Sequence, residues 1–259
     1  MNGKKLLVGS NANEGPLFVP PGIMTETDVL GWLSQEFPNL SPAQLNTILA
    51  ANPNSSPTNP TGVRFETTGI SAPNAVNMSG GANGQQQRAN NIYAEATFVC
   101  PAYWMADAYT GGSKAAYTYQ WSVPFASHGT DVGAYFGPKP ENIGDDIALA
   151  FKRVWGNFIT TGNPSISNAD ANGASAANPT APNGASAWPV WSEASPKLVN
   201  LNQTGGVPYD FTTQWFATVT QLRGPGQKNA ISVARADTWE GGRGSRCDAY
   251  LALAPSIPA

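Results

Sequence analysis

The stretch KAAYTYQWSVPFASHGTDVGAYFG, residues 114–137, joins the best strand of the chain to its only histidine. Tyr117, Tyr119 and Trp121 alternate with smaller or polar residues, and aromatic side chains favour strands, so 114–123 is expected to be a strand. His128 follows five residues after its end. A lone histidine is ordinarily a surface or core residue without a task. It acquires one only with a partner and a place.

Working outward, KLLVGS (5–10) is a short apolar run that reads as a buried strand of a sheet covered on both faces. Two helices follow. Thr25 can cap the first, with Val29, Trp32 and Leu33 on one face. Ser41-Pro42-Ala43-Gln44 opens the second with a capping-box pattern and proline at its first position. Residues 51–82 read as loop. From Gln85 to about Tyr109 the pattern is helical, with Pro101 expected to break or kink it. GDDIALAFKRVWGNFITTGNP (144–164) is the best helix, with an inward stripe of Ile147, Phe151, Val154, Trp155, Phe158 and Ile159. Residues 163–189, and 163–187 at their core, read as a low-complexity, solvated loop. PKLVNLN (196–202) reads as a short edge strand. A helix around 210–222 and a poorly defined tail are expected to close the chain. Strands alternating with helices indicate an α/β fold. Three clear strands are too few for a complete, doubly covered sheet.

Composition narrows the function. Charged residues are 12% of the chain and the net charge is −3. A nucleic-acid partner, which needs a basic face, is therefore not expected. No apolar run has the length of a bilayer span. One histidine and two cysteines do not make a zinc set, and no cofactor is expected. Low charge, 27 glycines, 22 prolines and 8 tryptophans suit a secreted protein. Sequons at Asn39, Asn54, Asn77 and Asn202 agree with secretion and with a glycoprotein. The N-terminus, MNGKKLLVGSNANEG, lacks the apolar core of a signal peptide, so a front end is expected to be missing. Cys100 and Cys247 either form one long-range disulfide or remain two buried thiols.

A hydrolase of α/β type carries its nucleophile on a G-x-S-x-G turn. GISAP (69–73) and GGSK (111–114) lack the second glycine, and Cys100 lies on an apolar helical face. For His128 the candidate acid is Glu14, four residues after LLVGS in a glycine-flanked loop. Both residues follow strands and would reach the same rim of a parallel sheet, where α/β folds keep their sites. Asp131 is only three residues from His128 and reads as a turn-stabilising residue. Gly129 is expected to let the chain turn. Trp121, Phe125, Tyr135 and Phe136 are candidates for an acyl pocket or for the core.

Here the residues carry a resemblance. LLVGSNANEGPLF resembles the acid segment of the type-B carboxylesterase/lipase family, and VPFASHGTDVGAYFG is similar to its histidine segment. FVCPAYWMADAY, AYTYQWSVP, FKRVWGNFITTGNP and WPVWSEASPKLVNLN follow the family's order and spacing, closest to its fungal secreted members. The resemblance covers nearly the whole chain. It implies the C-terminal portion of an α/β-hydrolase fold, residues 1–259 forming part of a single domain with an incomplete, mostly parallel sheet and flanking helices. It also implies catalytic roles for Glu14 as the acid and His128 as the base of a Ser–Glu–His triad. In these hydrolases the serine precedes the acid. Upstream of Glu14 the one serine is Ser10, with no elbow around it. The chain is therefore expected to need the N-terminal part of the fold and to be inactive alone. Its substrate in the complete enzyme is expected to be a small-molecule or lipid ester. The alternative is a non-catalytic secreted binding module of the same fold.

Overall fold

The computed structural model describes residues 3–54, 82–213 and 218–257. The GISAP stretch, the Asn77 sequon, most of the loop expected over 51–82 and the centre of the helix expected over 210–222 lie outside them. Strand β1 (Lys5–Asn11) is followed by helices α1 (Glu26–Glu36), α2 (Pro42–Ala51) and α3 (Gly84–Ala94). A π-helical turn (Glu95–Val99) leads into α4 (Cys100–Asp107). Then come β2 (Ala115–Trp121), the short α5 (Val132–Tyr135), α6 (Asp145–Thr161) and α7 (Asn168–Asn172). Strands β3 (Lys197–Leu201), β4 (Gln203–Thr204), β5 (Val207–Thr212), β6 (Thr218–Arg223), β7 (Lys228–Asn229) and β8 (Ser232–Arg235) precede the final helix α8 (Trp239–Leu253).

The main sheet has the order β1-β2-β3-β8. The first two pairings are parallel and the third is antiparallel. This is a mixed α/β fold with helices on both faces. The two-residue period of a strand sorts the core. From β2, Tyr117, Tyr119 and Trp121 enter one apolar cluster with Phe151 and Val154 of α6. Ala116 enters the other, with Ile92, Cys100 and Tyr250. Every residue of β2 is buried, as a central strand requires.

Local signals explain the early helices. Thr25 and Asp28 form a capping box at α1, and Ser41 and Gln44 form one at α2. In α6 the buried residues include Ile147, Phe151 and Val154, with Trp155 and Phe158 partly buried. Each fully buried side chain of this size contributes about 1.5–3 kcal/mol. Ile159 is 76% exposed, because eight residues beyond Phe151 the helix has turned about 80° from the core stripe. Gly162 ends α6 in the left-handed conformation, with φ +72°. Pro101 falls in the first turn of α4, just after the π-helical turn. The widened turn accommodates the proline without ending the helical path.

Four expectations need correction. PKLVNLN is not an edge strand: β3 lies between β2 and β8. Its covering neighbour, SVAR, is too short and polar to announce itself. The helix expected around 210–222 is instead an antiparallel hairpin, β5 paired with β6. Its β-branched Thr212, Val219 and Thr220, bounded by glycine pairs, suit strands. The tail carries α8, joined to α4 by the Cys100–Cys247 disulfide across 147 residues. Finally, residues 163–189 are not simply solvated. They form α7 and a 3-10 turn (Gly184–Ala187), and they bury Ile166, Ala171, Ala185 and Trp188. Asn172 and Asn183 hold this segment by side-chain hydrogen bonds, which replace the regular backbone bonds it lacks.

Candidate active site

The site begins with the register of β1 on β2. Asn11 and Trp121 are partners at the carboxyl end of the pair. Pairing then continues past both strands. The Ala12 N–H donates to the Trp121 carbonyl at 2.8 Å, and the Asn13 N–H to the Ala126 carbonyl at 2.9 Å. The loops carrying Glu14 and His128 are thus joined at one rim of the sheet.

Two glycines shape these loops, one by close approach and one by reversing the chain. A Cβ at Gly15 would stand 2.0 Å from the Asn90 carbonyl oxygen of α3, so the residue after Glu14 must be glycine for the loop to sit against that helix. Gly129 has φ +77° and reverses the chain directly after His128.

Glu14 Oε2 lies 2.7 Å from His128 Nδ1. The other carboxylate oxygen accepts the Asn11 N–H at 2.5 Å and the Asn11 amide at 3.2 Å. The Glu14 side chain is 4% exposed and that of His128 38% exposed. Burial pushes the Glu14 carboxyl above its ordinary range, while the Asn11 N–H and the imidazole pull it back. With the carboxylate ionised, Nδ1–H donates to it and Nε2 remains a base. Among the described residues Nε2 has no hydrogen-bond partner. Phe18 and Phe98 place their rings 5.0 and 4.8 Å from the imidazole, so the ring is held by a carboxylate at one nitrogen and aromatic surfaces beside it.

Asp131 is not bonded to His128. It accepts from the Asn11 amide at 3.1 Å and from the Tyr119 hydroxyl at 3.3 Å. Its own N–H and the Thr130 hydroxyl donate to Asn11 Oδ1 at 3.2 and 3.1 Å. Asn11 is the residue that sequence reasoning missed. It is bonded on both sides of its amide, and it fixes the carboxylate from below. Its signal was positional: it ends the strand three residues before the acid.

Of the four aromatic candidates, Phe125 alone lines the cleft beside His128. Trp121 is buried and stacks on Phe151 at 5.2 Å. Tyr135 packs edge-on against Phe151, and Phe136 is 82% exposed. Cys100 is committed to the disulfide. No group of three or more histidine, cysteine or acidic side chains among the described residues could hold a metal ion. No described helix is long and apolar enough to cross a membrane.

No protein-family model matches the chain, and no curated protein matches it. Among solved structures, Aspergillus niger EstA matches over 98% of this chain with a TM-score of 0.56 and 17% identity. The chain spans 41% of the length of that protein. At this identity the likeness concerns the fold alone: a distant esterase-like α/β architecture.

Proposed function

We propose that this chain is the acid- and base-bearing portion of a secreted serine carboxylic ester hydrolase of the type-B carboxylesterase/lipase family. A further segment would carry the serine and the oxyanion donors. The observation that carries this reading is the 2.7 Å pairing of Glu14 Oε2 with His128 Nδ1 at a sheet rim, with Nε2 on the unpaired side of the ring. The sheet topology supports it too. Among the described residues β1 is paired on one side only, so strands of another segment could extend the sheet there. The disulfide suits an oxidising compartment.

In the complete site the serine hydroxyl attacks the ester carbonyl as Nε2 removes its proton. The Oγ–C bond forms and the carbonyl electrons become the oxyanion. Collapse of that intermediate breaks the bond to the alcohol oxygen, which receives the proton from Nε2. Water then repeats the cycle on the acyl-enzyme. Glu14 keeps Nδ1 protonated and stabilises the imidazolium that forms at each transfer. Asn11 holds Glu14 in place.

The test has two arms. Alone, the chain should hydrolyse short p-nitrophenyl esters no faster than its His128→Ala variant. Fused in frame to an upstream segment with a G-x-S-x-G turn, it should turn over, and Glu14→Gln should cut kcat by about 10⁴-fold, as loss of the orienting acid does in other triads. An active fusion indifferent to both substitutions would exclude the reading.

A further inference from the structure

A cleft of about 480 Å³ opens beside His128. Its size falls in the range, roughly 300–1,000 Å³, of clefts that bury most of a small ligand. One side is the catalytic rim, with Phe125 and His128. The other is the β5–β6 hairpin, which presents Tyr209, Phe211 and Gln221. Strand alternation puts these three on one face: Tyr209 is paired with Gln221, and Phe211 is two residues further along β5.

The hairpin is tied down where it faces the site. The Tyr209 hydroxyl donates to Gln221 Oε1 at 2.6 Å. The Arg223 guanidinium stacks on the Tyr209 ring at 4.8 Å and pairs with Glu141 at 2.5 Å. At its base, the Gln227 amide donates to the Asn142 carbonyl at 3.0 Å. The ring of Tyr209 is thus fixed before any ligand arrives. Phe211 remains 45% exposed at the opening.

The lining chemistry narrows the occupant. Glu141 is the charged group in the wall, and its charge is met by Arg223. Apart from the His128 imidazole, which faces the Glu14 carboxylate, the remaining polar side chains are hydroxyls and amides. A charged ligand would gain no unmatched counter-charge there, whereas a flat apolar group gains two aromatic faces. We propose that the cleft between the β5–β6 hairpin and His128 is the subsite for a neutral aryl group of the ester, with Tyr209 and Phe211 as specificity-determining residues. This substrate class rests on the esterase reading; the cleft's affinity for an aryl group does not.

The single histidine supplies the assay. In the NMR spectrum of the full chain, the imidazole Cε1–H of His128 is one resonance, and it stands at the mouth of the cleft. The probe is 4-phenyl-2-butanone, a neutral aryl ketone without a cleavable ester bond, titrated beside 2-nonanone, an aliphatic ketone. The aryl ketone should shift the resonance saturably and with a Kd at least fivefold below that of the aliphatic one. Phe211→Ala should weaken it about tenfold, and Phe211→Tyr, which keeps the ring, should restore it. Equal affinities for the two ketones, an unmoved resonance, or full affinity in Phe211→Ala would each overturn the proposal. Failure of the triad reading would appear elsewhere, as a fused enzyme insensitive to His128→Ala with aryl binding intact.

Discussion

Two buried glutamates respond to their surroundings in opposite directions. For Glu14, burial is the largest influence, and hydrogen bonds from Asn11 and His128 only partly offset it, so its pKa is raised. For Glu95, burial also pushes upward, but the guanidiniums of Arg246 and Arg243 outweigh it, and its pKa is lowered. The consequences for stability have opposite signs. The Glu14 contribution is fully present below the ordinary value of 4.5 and is lost as pH rises through its elevated folded value. The Glu95 contribution is present above 4.5 and is lost as pH falls through its depressed folded value. Glu14→Gln should therefore become more stable relative to the parent as pH rises from 4.5 toward neutrality. The slope can reach about 1.4 kcal/mol per pH unit, the limit for one proton. Urea midpoints across that range measure it, and a flat or falling difference would count against a strained carboxylate.

At the scale of elements, α8 is held by charge to the π-helical turn and by sulfur to α4. Glu95 accepts from Arg243 Nε at 3.1 Å and from Arg246 Nε and Nη2 at 2.7 and 2.6 Å. Arg243 also donates to Gln120 of β2 at 2.6 Å. The helix therefore reads its position from the sheet and the turn together. Glu95→Ala should cost about 3–5 kcal/mol in urea unfolding at pH 7, because two guanidiniums would remain buried with their main counter-charge gone. A loss below 1 kcal/mol would mean that Glu240 compensates, since its buried carboxylate also attracts Arg243 and its carbonyl accepts from Arg246 Nη2 at 2.7 Å. The strands and helices with strong local signals were legible in the sequence: the capping boxes of α1 and α2, the aromatic alternation of β2 and the apolar stripe of α6. The β5–β6 hairpin was not. Its residues have enough spacing in common with a helix that periodicity does not distinguish the two, whereas the β5–β6 pairing does.

At the scale of the whole molecule, the disulfide closes a loop of 147 residues from α4 to α8. In the chain-entropy account such a loop contributes on the order of 5 kcal/mol, by restricting the unfolded chain. Replacing Cys100 and Cys247 together with alanine should lower stability by about 2–5 kcal/mol. Hydrogen exchange should show α8 losing protection before the β1–β2 core, since its remaining anchors are side-chain contacts. Uniform loss across the sheet would show that the bridge acts on the fold as one unit. The two clusters of the core sit on opposite faces of the sheet, so damage to the α8 side need not unseat α6. The site itself belongs to this scale: Glu14 and His128 are 114 residues apart and meet through the β1–β2 register.

The amino-acid sequence by itself determined the α/β class and the strands β1 and β2, and it offered Glu14 and His128 as candidates. The class and the strands rest on local physics, periodicity and capping; the candidates rest on the scarcity of imidazole, on their places after two strands and on a family resemblance. Tertiary structure alone decided that the carboxylate meets Nδ1, that Asn11 supports it, that β3 is interior, and that a hairpin walls the cleft. Each of these depends on which distant segments pair, and pairing is set by burial on both faces of a shared sheet, which no single window of sequence contains.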